Sequence, residues 1–293
     1  MLSDKFKNYF HLHFIIFIWG FTAVIGRLIS IEAISLVWYR VGIGAILILL
    51  FILARKMSLK VDRKTLARYG LGGALIALHW ITFFHAIKIT NVSVALATMS
   101  TGALFVTLIQ WVIFKRKIVR YELLFSILAI AGLVLIFNAA SHFYWGIIVA
   151  LTSSFLSASF SVLNGELIKK KSAAVISFYE LLFSVITVTI ILLYNGSFTA
   201  SFFILSATDW LYLGILASAC TAYAFVASTH VLRSVSPFTM MLSINLEPIY
   251  GIILAILIFK DDEIMQGNFY IGAAIILITV ALNGILTLRK SVT

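Results

Sequence analysis

AISLVWYRVGIGAILILLFIL, residues 33–53, runs for 21 residues with a single charge, Arg40. A helix of roughly 20 mostly apolar residues crosses a bilayer, so this stretch reads as a membrane span with one buried cation. Working outward, the same pattern recurs at 9–29, 66–87, 91–114, 121–139, 143–166, 174–195, 208–232, 237–259 and 267–288. Short charged or turn-forming stretches, such as Asn91 and Asn195-Gly196, separate the runs. The expected fold is therefore an all-α integral membrane protein of ten transmembrane helices, neighbours mostly antiparallel. Composition agrees: 62% of residues are hydrophobic and 11% charged, whereas a soluble domain carries about 25% charged residues. Lys5 and Lys7 precede the first run, which continues past Phe21 without a small-residue cleavage site. It is expected to be a retained helix rather than a signal peptide.

The basic residues fix the expected orientation. Of 22, 18 fall in one set of loops: Lys5, Lys7, Arg55, Lys56, Lys60, Arg63, Lys64, Arg68, Lys115, Arg116, Lys117, Arg120, Lys169, Lys170, Lys171, Arg233, Arg289 and Lys290. The other loops hold only Lys88 and Lys260, while Arg27 and Arg40 lie within or at the ends of spans. Cytoplasmic loops concentrate Lys and Arg, so both termini are expected in the cytoplasm. That bias also accounts for the net charge of +11 without a nucleic-acid partner. The single cysteine, Cys220, excludes an intrachain disulfide or a cysteine metal cluster; no metal site and no cofactor are expected.

A repeat organises the chain. Phe83-Phe84-His85-Ala86-Ile87-Lys88 falls on Ser228-Thr229-His230-Val231-Leu232-Arg233 at an offset of 145 residues, and Val112-Ile113-Phe114-Lys115 falls on Leu257-Ile258-Phe259-Lys260. A slightly smaller offset matches Gly26-Arg27-Leu28-Ile29 with Gly165-Glu166-Leu167-Ile168, and Trp38-Tyr39-Arg40 with Phe178-Tyr179-Glu180. The expected units are 1–140 and 141–293, five helices each. Five is odd, so the halves should lie upside down to each other. Inverted repeats are a common plan of secondary transporters, because two similar halves can exchange conformations at comparable energy.

Trp19-Gly20-Phe21-Thr22 in the first span, Arg40 in the second and Leu246-Glu247-Pro248 in the ninth carry a resemblance to the drug/metabolite transporter superfamily, EamA-type. It covers essentially the whole chain. The resemblance implies a ten-helix permease of a prokaryotic plasma membrane, monomer or homodimer, that exports an amino acid or related metabolite. In one departure, the family often has a proline in the fourth helix, where this chain has Ala103 opposite Pro248. Kinking is therefore expected to be asymmetric.

Ionisable groups within hydrocarbon are costly and usually face a cavity or a partner. Arg27, Arg40, Glu180 and Glu247 are the four here. Glu247 lies near the middle of its span; it could carry a proton, bond a substrate amine, or serve as a structural carboxyl. Pro237 and Pro248 are the chain's two prolines and the expected helix kinks. Pro248, lacking an N–H, should free the carbonyl of Ile244, beside Ser243 and Asn245. Arg40 and Glu180 occupy matching positions near opposite faces, about 15 Å apart in depth, and are expected to gate or anchor separate halves rather than pair. His79, Trp80 and Phe83 share a helical face that suits an amphipathic organic molecule or simple packing; His85 points elsewhere. Trp19, Ser157 and Tyr223 complete the cavity candidates.

The expected function is thus a secondary transporter of a small organic metabolite working by alternating access in the lipid bilayer, with a proton as candidate co-substrate. A passive channel is the alternative. A membrane-embedded enzyme fits less well, because the chain has no His-Glu-x-x-His, Gly-x-Ser-x-Gly or Walker A sequence.

Overall fold

The computed structural model describes residues 4–115 and 120–290; Arg116 and Lys117 of the basic cluster lie outside them. The described elements are helical, without a strand. In order they are α1 (Asp4–Leu28), α2 (Ala33–Ala54), α3 (Arg63–Ile89), α4 (Val92–Met99), α5 (Gly102–Phe114), α6 (Arg120–Ala139), α7 (Tyr144–Leu167), α8 (Ala173–Tyr194), α9 (Ala207–Ala217), α10 (Ala224–Val231), α11 (Pro237–Ile244), α12 (Glu247–Phe259) and α13 (Gly267–Lys290). A π-helical turn, Ser218–Tyr223, joins α9 to α10. Seven segments of the described chain are long and apolar enough to cross a membrane, including Val92–Ile113 through α4 and α5 and Ala207–Val231 through α9 and α10.

Side-chain caps set several helix starts. Asp62, Asn91, Ser172 and Ser206 each accept the backbone N–H three residues on, which satisfies donors that an isolated helix end leaves bare. Ser236 does the same for Thr239 at the start of α11.

The lengths of the elements repeat. α2 and α8 both have 22 residues, starting 140 apart. α4 and α11 both have 8, and α5 and α12 both have 13, each pair offset by 145. The last pair are both followed by a lysine at positive φ, Lys115 at 51° and Lys260 at 50°. The matched elements pack on one another as α2 on α8 and α6 on α13, with α4 against α12. In the α6–α13 contact, a Cβ on Gly132 would lie 2.7 Å from the Gly272 carbonyl and one on Gly272 2.5 Å from the Gly132 carbonyl. Only glycine allows two backbones this close.

Two expectations about helix breaks need correction. Pro237 kinks nothing: it is the first residue of α11, where a missing N–H costs no helical bond. Nor is the breaking asymmetric. The chain breaks at Asn245–Leu246, just ahead of Pro248, and equally at Ser100–Thr101, where no proline stands. Hydroxyls do the work there: Thr98, Ser100 and Thr101 donate to the carbonyls of Val94, Leu96 and Thr98. Such side-chain bonds compete with the helix ladder and bend it.

One end of the bundle is tied by polar contacts between elements. Arg27 at the end of α1 pairs with Glu263 and, at 3.1 Å, with Asp262, its guanidinium 4.3 Å from the Phe259 ring. The fully buried Glu263 also accepts the N–H groups of Val92 and Ser93, at 2.9 and 2.8 Å, at the start of α4. Lys88 donates to the Ile29 carbonyl, and Asp209 at the start of α9 accepts both the N–H and hydroxyl of Ser30. Glu263→Ala would orphan two helix-start donors and leave Arg27 paired with Asp262 alone. Removing one partner of a buried, hydrogen-bonded charge costs roughly 3–5 kcal/mol. Chemical unfolding in mixed micelles should show a loss of that order, with Glu263→Gln, which keeps one acceptor oxygen, losing clearly less.

Candidate functional site

A cavity of about 90 Å³ lies among α1, α2, α3, α4, α7, α10 and the α11–α12 break. That exceeds the roughly 10–15 Å³ a single water requires, so it can hold several waters or a small solute. Its cationic wall is Arg40, which is 1% exposed. The Arg40 Nε donates to Thr221 Oγ1 at 2.6 Å and Nη2 to the Cys220 carbonyl at 3.3 Å. The π-helical turn makes this possible: Thr221 Oγ1 donates back to the Leu216 carbonyl, and the Cys220 carbonyl is left to accept from Arg40 and from Trp19 Nε1. Such turns displace the regular ladder and recur at functional sites. The guanidinium lies 4.0 Å from the Trp80 ring centroid and 5.4 Å from Phe84, a cation–π arrangement strengthened by exclusion of water. Its remaining terminal nitrogen, Nη1, has no partner.

The anionic wall is Glu247. It is the first residue of α12, where a carboxylate meets the positive end of the helix dipole, and Asn245 and Pro248 flank it on the lining. The aromatic wall is built by His79, Trp80 and Phe83 from α3, Phe160 from α7 and Phe225 from α10. His79 sits 6.0 Å from Phe83 and 5.6 Å from Phe160, and Trp80 6.0 Å from Phe225. The His79 Nδ1 lies 3.0 Å from the Ser153 carbonyl. A carbonyl only accepts, so Nδ1 carries the proton and Nε2 is the acceptor of the neutral ring.

Buried polar atoms in proteins nearly always have partners. Among the described residues seven do not, and five of them line this cavity: Thr22 Oγ1, Arg40 Nη1, Ser161 Oγ, Asn164 Oδ1 and Asn245 Nδ2. These leftover donors and acceptors belong to residues that line the same cavity as Arg40 and Glu247. The other two, Glu180 Oε1 and Tyr69 Oη, lie behind Asn164.

Of the residues expected from sequence, Trp19, Arg40, His79, Trp80, Phe83, Ser157, Asn245, Glu247 and Pro248 converge on the cavity. Four do not. Tyr223 is 44% exposed on the outer side of the π turn, bonded to His11. Ser243 turns its hydroxyl back onto the Thr239 carbonyl of its own helix. Pro237 packs on Gly165, and Glu180 is buried behind the lining. Sequence reading missed Asn164, Phe160, Phe225 and Met240. Asn164 had a signal, as an amide alone in an apolar run; the others look like any packing residue. Thr22 was quoted in Trp19-Gly20-Phe21-Thr22 but not singled out.

The cavity's two ends differ. Leu232 borders both the cavity and surface pockets beside Lys169, Lys170 and Arg233, so one half-buried side chain stands between the cavity and the basic end. Its counterpart 145 residues earlier, Ile87, is 1% exposed within the apolar core. Likewise Arg27 bridges helices, whereas its counterpart Glu166 bonds only Lys169, three residues on. The Arg27 end is tied across helices by ion pairs, whereas at the basic end Leu232 is shared by the cavity lining and the surface pockets.

The fold and sequence both have relatives. A curated protein of Clostridium kluyveri (strain ATCC 8527 / DSM 555 / NBRC 12016 / NCIMB 10680 / K1), described as an uncharacterized transporter, is 27% identical over 231 residues, 76% of this chain and 72% of that protein. A crystal structure of a protein 18% identical superimposes with a TM-score of 0.68 over 95% of this chain and 97% of its own, a likeness of fold. The model of the EamA-like transporter family matches twice in succession, at residues 9–138 and 144–285. The chain belongs to the EamA-like transporter family.

Proposed function

We propose that the protein is a secondary transporter of a small zwitterionic metabolite with an apolar side chain, an amino acid or close relative, and that it works by alternating access. The observation that carries this is the gathering of five unpartnered polar atoms on residues that line one cavity with Arg40 and Glu247. Arg40 Nη1 offers a donor to a carboxylate and Glu247 an acceptor to an ammonium group, while the aromatic wall takes the side chain. Since the two wall charges cancel, a zwitterion adds no net charge to a low-dielectric site, whereas a net ion would leave one uncompensated. Asn245 Nδ2 and Ser161 Oγ supply further hydrogen bonds.

In this reading ten spans form two inverted five-helix units, residues 1–140 and 141–293, with both termini cytoplasmic. The repeated element lengths and the twofold family match support it. The basic end then faces the cytoplasm, and the present conformation is inward-facing: closed at Arg27–Glu263, with Leu232 as the thin inner cover. Exchanging the arrangements of the two units would open the opposite face. Direction of net transport, export as the family resemblance implies, would follow from the gradients supplied.

In proteoliposomes loaded with an unlabelled apolar amino acid such as leucine, external labelled leucine should accumulate by saturable counterflow. Current or flux that rises without saturation would make the protein a channel. Arg40→Lys keeps the charge but loses the planar fork that bonds Thr221 and stacks on Trp80. It should raise the KM for counterflow at least about tenfold, on the order of 1.4 kcal/mol, with the protein still folded by thermal melt.

Alternating access makes a second demand. Arg27→Cys with Asp262→Cys, in a Cys220→Ala background, should allow a short bifunctional thiol reagent to lock the Arg27 end shut. Counterflow should stop on cross-linking and return on reduction. Undiminished flux through the locked protein would rule out rocking at that end.

A further inference from the structure

Glu180 is a fully buried carboxyl, without the ion pair that Glu263 makes, that the proposed substrate site leaves unused. It is the eighth residue of α8, 0% exposed, roughly 12 Å along the helix from the basic end. Its Oε2 accepts one hydrogen bond, from Asn164 Nδ2 at 3.1 Å, and its Oε1 accepts none. The pocket around it is built rather than accidental. A Cβ on Gly72 would lie 2.4 Å from Oε1, and one on Gly73 2.5 Å from the Glu180 backbone carbonyl, so two successive glycines of α3 make the notch that takes this side chain.

The groups that meet Glu180 are neutral. From α7 comes the amide of Asn164; the Tyr69 hydroxyl of α3, stacked on the neighbouring Tyr179, is buried without a partner. Among the described residues, neither α2 nor α10, which also pack on α8, makes an ion pair with it. A carboxylate with one neutral hydrogen bond and no cation is too costly in such a place. Neither Asn164 Oδ1 nor Tyr69 Oη has a hydrogen-bond partner.

We propose that Glu180 is a proton-binding site, coupled to the substrate cavity through Asn164. When the proton is absent, Asn164 Nδ2 donates to the carboxylate and its Oδ1 is the atom left for the cavity. When the carboxyl takes a proton from cytoplasmic water, its O–H becomes a donor, and Asn164 can accept it through Oδ1 by turning its amide over. The atom presented to the cavity then changes from an acceptor, which suits an ammonium group, to a donor, which suits a carboxylate. Binding of a proton thus alters the hydrogen bonding available to the occupant. The coupling rests on the transport reading; the proton site itself does not.

Infrared difference spectroscopy of the whole protein in liposomes reads the site without any substrate. Alkalinisation should bleach the C=O stretch of a protonated carboxylic acid. Glu180→Gln should remove that band, and Glu247→Gln should leave it. Asn164→Ala should shift it to higher frequency, because the protonated carboxyl loses its hydrogen-bond partner. Should Glu180→Gln not fold, Glu180→Asp serves, with a band displaced from that of the wild type. A wild-type protein without the band, a band lost in Glu247→Gln but kept in Glu180→Gln, or a band that appears only when sodium is replaced by choline would each overturn the assignment. The last would make Glu180 a cation site instead. Counterflow of leucine in the same liposomes separates this result from the transport reading: flux with no band refutes the proton site alone.

Discussion

A polar group inside a bilayer has no water to fall back on, and nearly everything in this bundle follows from that. Helices satisfy their own backbones. Where they break, hydroxyls and carboxylates take over: Thr98, Ser100 and Thr101 at the break before α5, Glu263 at the start of α4. Arg40 is held by Thr221, a carbonyl released by a π turn and the face of Trp80. Against so thorough a pairing, the leftover donors and acceptors carry information, because they are concentrated around one cavity and the carboxyl just behind it.

Much of this was legible in the chain. Apolar runs placed the helices to within a few residues, since hydrocarbon thickness dictates their length. The offset of 145 read from short matches returns in the bounds of α4, α5, α11 and α12. His79, Trp80 and Phe83 reached the cavity because helical spacing puts them on one face, and His85 is exposed for the same reason. Partner choice was not legible. Periodicity says which face of α7 or α10 is buried, not which helix it meets, so Phe160 and Phe225 could not be singled out, whereas Asn164 stood out as an amide in an apolar run and was passed over. Tyr223 failed because a π turn shifts the faces of its span, and Pro237 because its run begins at the proline itself. The break before α5 escaped notice because hydroxyl bonding leaves no mark as plain as a proline.

The two units are alike in their elements and unlike in their state. Ile87 is sunk in the core while Leu232 is half-buried; Arg27 spans between helices while Glu166 turns to its own helix. Related positions with different surroundings are how a symmetric scaffold can hold an asymmetric conformation. The difference lies in side-chain partners rather than in the backbone lengths, which match.

Arg40 and Glu180 are each the eighth residue of their helix, one positive and one acidic, on the two helices that pack together across the middle of the bundle. That has a consequence for ancestry. If an ancestral five-helix chain worked as an antiparallel pair of identical copies, both positions held the same residue. Two arginines, or two carboxyls, must then have shared that core. Fusion of such copies into one gene would remove the constraint and let the two positions diverge. Neither half now carries both, so separating them and pairing either with itself would not restore the ancestor.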